Sequence, residues 1–145
     1  MNTAIRIRPL RLSNYDAMVE LFRTCGLSPR FQGRESRTAI ARQLRANRTS
    51  YLGAFDGERF VGAVLGTHDT RKAWINRLAV HPAYRRKGIA RRLVRACGLG
   101  LLSQGIEMFA AFIEPGNRAS ETVFRRLGYE LMPMTYARRK LRDEV

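Results

Sequence analysis

The sequence predicts a mixed α/β domain, and three patterns predict it. Ile5 and Ile7 alternate with Arg6 and Arg8, the period of a half-buried strand. Met18, Leu21, Phe22 and Cys25 recur at helical spacing. The apolar run Trp74 to Val80 leads through a basic loop into Ile89, Leu93, Cys97 and Leu101, which repeat every four residues. Strand, loop and helix in that order place a helix N-terminus at the end of a buried strand.

The remaining elements follow in chain order. Ser13 or Asn14 can cap the first helix, and Gly26 ends it. A loop from Ser28 to Gly33 leads to a second helix over Ser36 to Asn47. Tyr51 to Phe55, the turn Asp56-Gly57, and Phe60 to Thr67 form a β-hairpin. Asp69 to Lys72 turn the chain into strand four, Ala73 to Val80. The third helix continues past Gly98 and Gly100 and stops near Gly105. Strand five is Ile106 to Ile113, and the fourth helix, Arg118 to Leu127, stops at Gly128. Short strands at Tyr129 to Met132 and Thr135 to Arg139 close the chain. The order is β-α-α-β-β-β-α-β-α-β-β, a sheet of about seven strands. With no repeat or linker, residues 1–145 read as one domain.

Composition narrows the class. No run of eighteen apolar residues and no signal-peptide core follow Met1, so a soluble, cytoplasmic protein without membrane partners is expected. Cys25 and Cys97 each fall on a helical apolar stripe, which favours buried free thiols. His68 and His81 have no Cys or His neighbours at ligand spacing, so no metal is expected. The net charge is +15, and among 27 cations only Lys72, Lys87 and Lys140 are lysines. Few of the arginines sit beside aromatics as a base-stacking surface would require, so a nucleic-acid partner is not the favoured reading. Attraction to a polyanionic ligand is the functional version of the same charge.

The loop Arg85-Arg86-Lys87-Gly88-Ile89-Ala90-Arg91 carries the strongest chemical signal. Unpaired N–H groups and the positive end of a helix dipole converge there, and four cations surround them. That combination suits a polyphosphate. Neither G-x-x-x-x-G-K-[ST] nor G-x-G-x-x-G is present. Instead Arg85-x-x-Gly88-x-Ala90 resembles the Q/R-x-x-G-x-G/A signature of the GCN5-related N-acetyltransferase (GNAT) superfamily. Leu78-Ala79-Val80-His81-Pro82 is similar to the strand and turn that precede it there. Asn117 to Tyr129 resembles the closing N-x-x-[AS]-x-x-x-[YF]-x-x-x-G-[FY] element.

The resemblance implies the GNAT fold, a mixed and mostly antiparallel sheet whose strands four and five splay to admit acetyl-CoA as co-substrate. Leu78, Ala79 and Val80 would pair with the pantetheine arm, and the Val80 N–H would polarise the thioester carbonyl. Arg85 to Arg91 would take the pyrophosphate, the Asn117 side chain would reach the pantetheine amides, and Phe124 would lie beside the cofactor. Asn117 also suits a helix N-cap.

The sequence departs from the family at the proton-transfer positions. The tyrosine often used as acid falls at Phe124, with the Tyr129 hydroxyl or water as substitutes, and Trp74-Ile75-Asn76-Arg77 has no strand-four carboxylate. Glu114, closing strand five, is the candidate base, with ordered water as the alternative. Asn76 and Arg77 interrupt the apolar strand, and Arg77 would favour an acidic substrate. The expected function is direct acetyl transfer to a primary amine of a small molecule or a protein N-terminus. A non-catalytic acyl-CoA-binding protein and a basic nucleic-acid or ribosome-associated module are the alternatives, and a homodimer is left open.

Overall fold

The alternation near the start of the chain becomes β1 (Ile5–Pro9) in a computed structural model that describes residues 4–145. A 3-10 turn at Leu12–Asn14 leads into α1 (Tyr15–Thr24), and the Asn14 side chain accepts the Arg11 N–H at 2.9 Å. Met18, Val19, Leu21 and Phe22 form the buried stripe of α1. Ser36 caps α2 (Arg37–Ala46) by accepting the Ala39 N–H at 3.1 Å. The hairpin comprises β2 (Tyr51–Asp56) and β3 (Arg59–His68), followed by β4 (Ala73–Val80). Then come α3 (Ile89–Leu102), β5 (Phe109–Ala111) and α4 (Arg118–Arg126).

The sheet order is β1-β2-β3-β4-β5, antiparallel throughout except for the parallel β4–β5 pair. β2, β3 and much of β4 are buried because helices cover both faces of the sheet. On one face α3 packs Ile89, Leu93, Val94, Cys97 and Leu101 against Leu52, Val64 and Ile75. On the other, Phe22 of α1 and Ile40 of α2 meet Tyr51, Ala63, Leu65 and Ala79. Each fully buried aliphatic side chain contributes about 1.5–3 kcal/mol relative to exposure. α3 crosses so near the β2 lead-in that a Cβ on Gly100 would lie 1.9 Å from the Thr49 carbonyl oxygen. That close approach explains a glycine inside an otherwise strong helical pattern.

The mixed fold and the first nine elements follow the predicted order, but among the described residues the sheet has five strands rather than seven. Residues 129–145 form no strand. No N–H or carbonyl of residues 130–139 pairs with another strand among the described residues, so the segment stays irregular. β5 is also shorter than Ile106 to Ile113. The Ile106 N–H is taken by the Leu101 carbonyl (3.2 Å), closing α3, while the Ile106 side chain is buried in the core. Strand pairing therefore begins only at Phe109. The two thiols also differ: Cys97 is fully buried, whereas Cys25 caps α1 half-buried. Among the described residues no helix is long and apolar enough to cross a membrane.

Candidate active site

Pairing between β4 and β5 covers only Ala73–Ile75 opposite Phe109–Ala111. Beyond Ile75 the strands part. At the same point β4 carries an extra residue: Arg77 faces Leu65 and Ile75 faces Gly66, leaving Asn76 bulged out. The bulge increases local twist and shifts the alternation of side chains. Arg77 therefore turns toward the α1–α2 face, and Leu78 and Val80 toward α3.

The ladder also decides which backbone groups are free. The His81 N–H bonds to the Val61 carbonyl at 2.8 Å, so His81 belongs to a hydrogen-bonded pair. Antiparallel pairs alternate, and Ala79 and Arg77 point their peptide groups at β3 as well. Leu78 and Val80 then direct theirs into the gap that β5 has left. The Val80 carbonyl accepts the Cys25 thiol at 3.4 Å and the Arg85 Nε at 3.3 Å. Its N–H has no acceptor among the described residues.

A 3-10 turn over Pro82–Tyr84, capped by His81 Nδ1 accepting the Ala83 N–H (3.1 Å), carries the chain into the basic loop. Arg86 holds φ +62° and Gly88 φ +77°, both left-handed. For an arginine that conformation costs about 1–2 kcal/mol, and such outliers collect at functional sites. The first α3 N–H to find a carbonyl is that of Arg92, on Gly88 (3.1 Å). The N–H groups of Arg86 to Arg91 have no acceptor among the described residues. Left-handed residues next to a helix start form an anion-binding concavity. Arg85, Arg86, Lys87 and Arg91 surround it, exposed.

Beside the splay lies a cavity of about 660 Å³ between the α1–α2 loop, β4, Phe112 and the C-terminal segment. Its centre is an ion pair the sequence did not disclose. Glu35 is 3% exposed, and its Oε1 accepts from Arg77 Nη2 (2.8 Å) and Nε (3.1 Å). Oε2 accepts the Arg30 N–H at 2.9 Å. Tyr15 Oη donates to the Glu35 carbonyl at 2.6 Å, and Gln43 Nε2 to the Arg34 carbonyl at 2.7 Å. The Tyr51 hydroxyl donates to Gln43 Oε1 at 2.8 Å, and burial together with the Glu35 charge holds its pKa well above the usual tyrosine range.

The expected site residues divide into two groups. Leu78, Val80 and Arg85 to Arg91 come together at the splay and the loop beyond it, whereas Ala79 turns its peptide groups to β3 and its side chain into the core under α1 and α2. Asn117 is the α4 N-cap, its Oδ1 accepting the Ser120 N–H at 3.1 Å, while its amide donors have no partner among the described residues. Phe124 is instead 3% exposed, in the core below α3, with its ring edge-on to Tyr129 at 4.9 Å. Burial pushes the Tyr129 hydroxyl up to about 12, and it lines a groove beside α3 rather than the cavity. Glu114 is exposed three residues past β5, outside the cavity lining. Both histidines serve turns: His81 as above, and His68 by accepting the Thr70 N–H. No group of metal-ligating side chains occurs among the described residues. Glu35, Gln43 and Tyr51 had no motif to announce them. Only the isolated carboxylate of Glu35 amid arginines 30, 34 and 37 was visible in sequence.

Comparison with known proteins gives a consistent result. The profile of a family described as Acetyltransferase (GNAT) matches residues 15–129. An acetyltransferase of Pectobacterium atrosepticum is 26% identical over 140 residues, covering 96% of this chain and 98% of its own. The PaiA N-acetyltransferase of Thermoplasma acidophilum, solved in complex with coenzyme A, has a TM-score of 0.80 at 18% identity. That match covers 91% of this chain and 93% of the other. A ribosomal-protein-alanine N-acetyltransferase from Brucella melitensis has a TM-score of 0.69 at 17% identity, over 94% of this chain and all of the other. These two structures share the fold.

Proposed function

The chain belongs to the acetyltransferase (GNAT) family, and from that premise we propose that it is an acetyl-CoA-dependent N-acetyltransferase acting by direct transfer to a primary amine. The observation that carries this reading is the parting of β4 from β5 beside an open Val80 N–H, with the basic loop directly beyond it. The residues present fit the co-substrate. Unpaired N–H groups from Arg86 to Arg91 and the cations among them suit a pyrophosphate, and the edge of β4 at Leu78 and Val80 suits an extended amide chain. The free amide donors of Asn117 are assigned to the same chain.

The amine nitrogen attacks the thioester carbon, the N–C bond forms and the C–S bond breaks. The Val80 N–H donates to the carbonyl oxygen as negative charge develops there, a preorganised contact typically contributing about 3–4 kcal/mol. Glu35 is held in its pair with Arg77 and serves that residue rather than the proton. We assign the ammonium proton to Glu114, an exposed carboxylate just past the end of β5 that lies outside the cavity lining and would take the proton through water. The departing thiolate takes a proton from solvent. With a thiol pKa near 8.5, leaving as thiolate at pH 7 costs only about 2 kcal/mol, which offsets the buried, hydroxyl-free Phe124.

Thiol release from acetyl-CoA with a broad amine panel tests the reaction. Transfer to at least one amine is expected, and acetyl-CoA binding without any transfer would reduce the protein to a binder. Glu114→Gln should lower kcat at least tenfold with little change in acetyl-CoA affinity. Turnover within twofold of wild type would hand the proton to water alone.

A further inference from the structure

The cavity beside the splay is strongly asymmetric in charge. Arg34, Arg77, Arg138, Arg139 and Lys140 line it against one carboxylate side chain, Glu35. That carboxylate is already matched, since Arg77 Nη2 lies 2.8 Å from its Oε1 and Arg34 Nε 3.8 Å away. The side chains of Arg138 and Arg139 are exposed and have no hydrogen-bond or ion-pair partner among the described residues. Arg77, 18% exposed, uses Nε and Nη2 on Glu35, and its Nη1 donors have no partner among the described residues. One wall is aromatic: Trp74 stacks on Phe112 at 4.9 Å and 13°, and Phe112 meets Tyr136 at 4.5 Å.

We propose that this cavity takes an acceptor amine that also carries a carboxylate, with Arg138, Arg139 and the free edge of Arg77 holding the carboxylate. The substrate role rests on the transferase reading above, whereas the anion site stands on the cavity alone. A polyamine entering here would meet an excess of positive charge, since Glu35 offsets only one of the five cations. A carboxylate would find guanidinium forks, whose paired donors match its two oxygens. The surrounding positive charge also favours the neutral form of the incoming amine, which is the nucleophile. A weak or distant base then suffices, in keeping with a strand four that carries no carboxylate.

The carboxylated amine can be a free amino acid or the acidic N-terminus of a peptide, and the test has an arm for each. Binding and acetylation would be measured with glutamate, with a short peptide beginning Asp-Glu, with spermidine and with tyramine, in the presence of CoA or acetyl-CoA respectively. At least one carboxylated amine should show a kcat/KM ten or more times that of spermidine or tyramine. Arg138→Glu combined with Arg139→Glu should remove that advantage while leaving the thermal shift caused by acetyl-CoA unchanged. Both side chains lie exposed in an irregular segment, so the fold should survive. If carboxylated amines bind but none is acetylated, the anion site stands and the transfer reading falls. If spermidine or tyramine is preferred, if no carboxylated amine binds, or if the double substitution alters nothing, the inference is overturned.

Discussion

Glu35 carries a charge at 3% exposure, so its burial has to be compensated within hydrogen-bond distance. Arg77 and the Arg30 N–H do this, and they tie the α1–α2 loop to the β4 bulge. Removing one member of such a pair strands the other, which typically costs about 3–5 kcal/mol. Arg77 keeps partial contact with water, so Glu35→Gln should fall at the lower end, about 3 kcal/mol. Urea denaturation reads it, and Arg77→Met added to Glu35→Gln should recover part of the loss. A near-zero loss would make the pair incidental. At Gly88 the left-handed backbone coincides with the anion position proposed above. Gly88→Glu should abolish the stabilisation by acetyl-CoA, because its carboxylate would occupy the pyrophosphate position. A melting-temperature shift equal to that of wild type would place the co-substrate elsewhere.

At the scale of elements, α3 joins chemistry to stability. Its N-terminus presents the unpaired N–H groups, and its length buries Leu93, Cys97 and Leu101 against the sheet. Gly100 lets it approach β2. On helix propensity alone Gly100→Ala would stabilise by about 1 kcal/mol. A Cβ placed 1.9 Å from the Thr49 oxygen forces backbone apart, and overpacking costs about 1–3 kcal/mol. The clash wins, so Gly100→Ala should lower the unfolding free energy, most visibly as a reduced denaturation midpoint at unchanged m-value. A gain in stability would mean that α3 can shift without loss.

Across the whole molecule, charge and burial act over different pH ranges. The +15 net charge resides mostly on arginines, which stay charged at every pH a folding experiment uses. Alkaline stability therefore depends on the buried acids. Burial pushes the Cys97 thiol up to about 12 from an ordinary value near 9. Above pH 9 the unfolded chain gives up this proton while the native one keeps it, so the unfolded state binds fewer protons and stability falls as pH rises. Each unit costs about 1.4 kcal/mol. Between pH 8 and 10.5 the loss should reach about 2 kcal/mol, with smaller parts from Tyr51 and Tyr129 above pH 10. Cys97→Ala should be less stable at pH 8 yet flatter across the range. Parallel curves for the two proteins would assign the alkaline loss to other groups.

Much of this molecule was legible one residue at a time. Alternation, helical period, caps and stops are local, and they predicted nine elements in order together with the basic loop at the start of α3. The spacing Arg85-x-x-Gly88-x-Ala90, with Leu78 to Pro82 before it and the element Asn117 to Tyr129 after it, pointed to the family. Three features were decided only by tertiary structure. Ile106 reads as strand, but its N–H closes α3 and its side chain enters the core, so β5 starts late. Residues 129–132 and 135–139 have strand-like composition, yet the fold brings no strand edge into register with them and no ladder forms. Glu35 looks like a solvated loop carboxylate until the β4 bulge turns Arg77 toward it. In each case the outcome depends on which partner the fold brings within reach, and a long-range partner leaves no periodic trace in the chain.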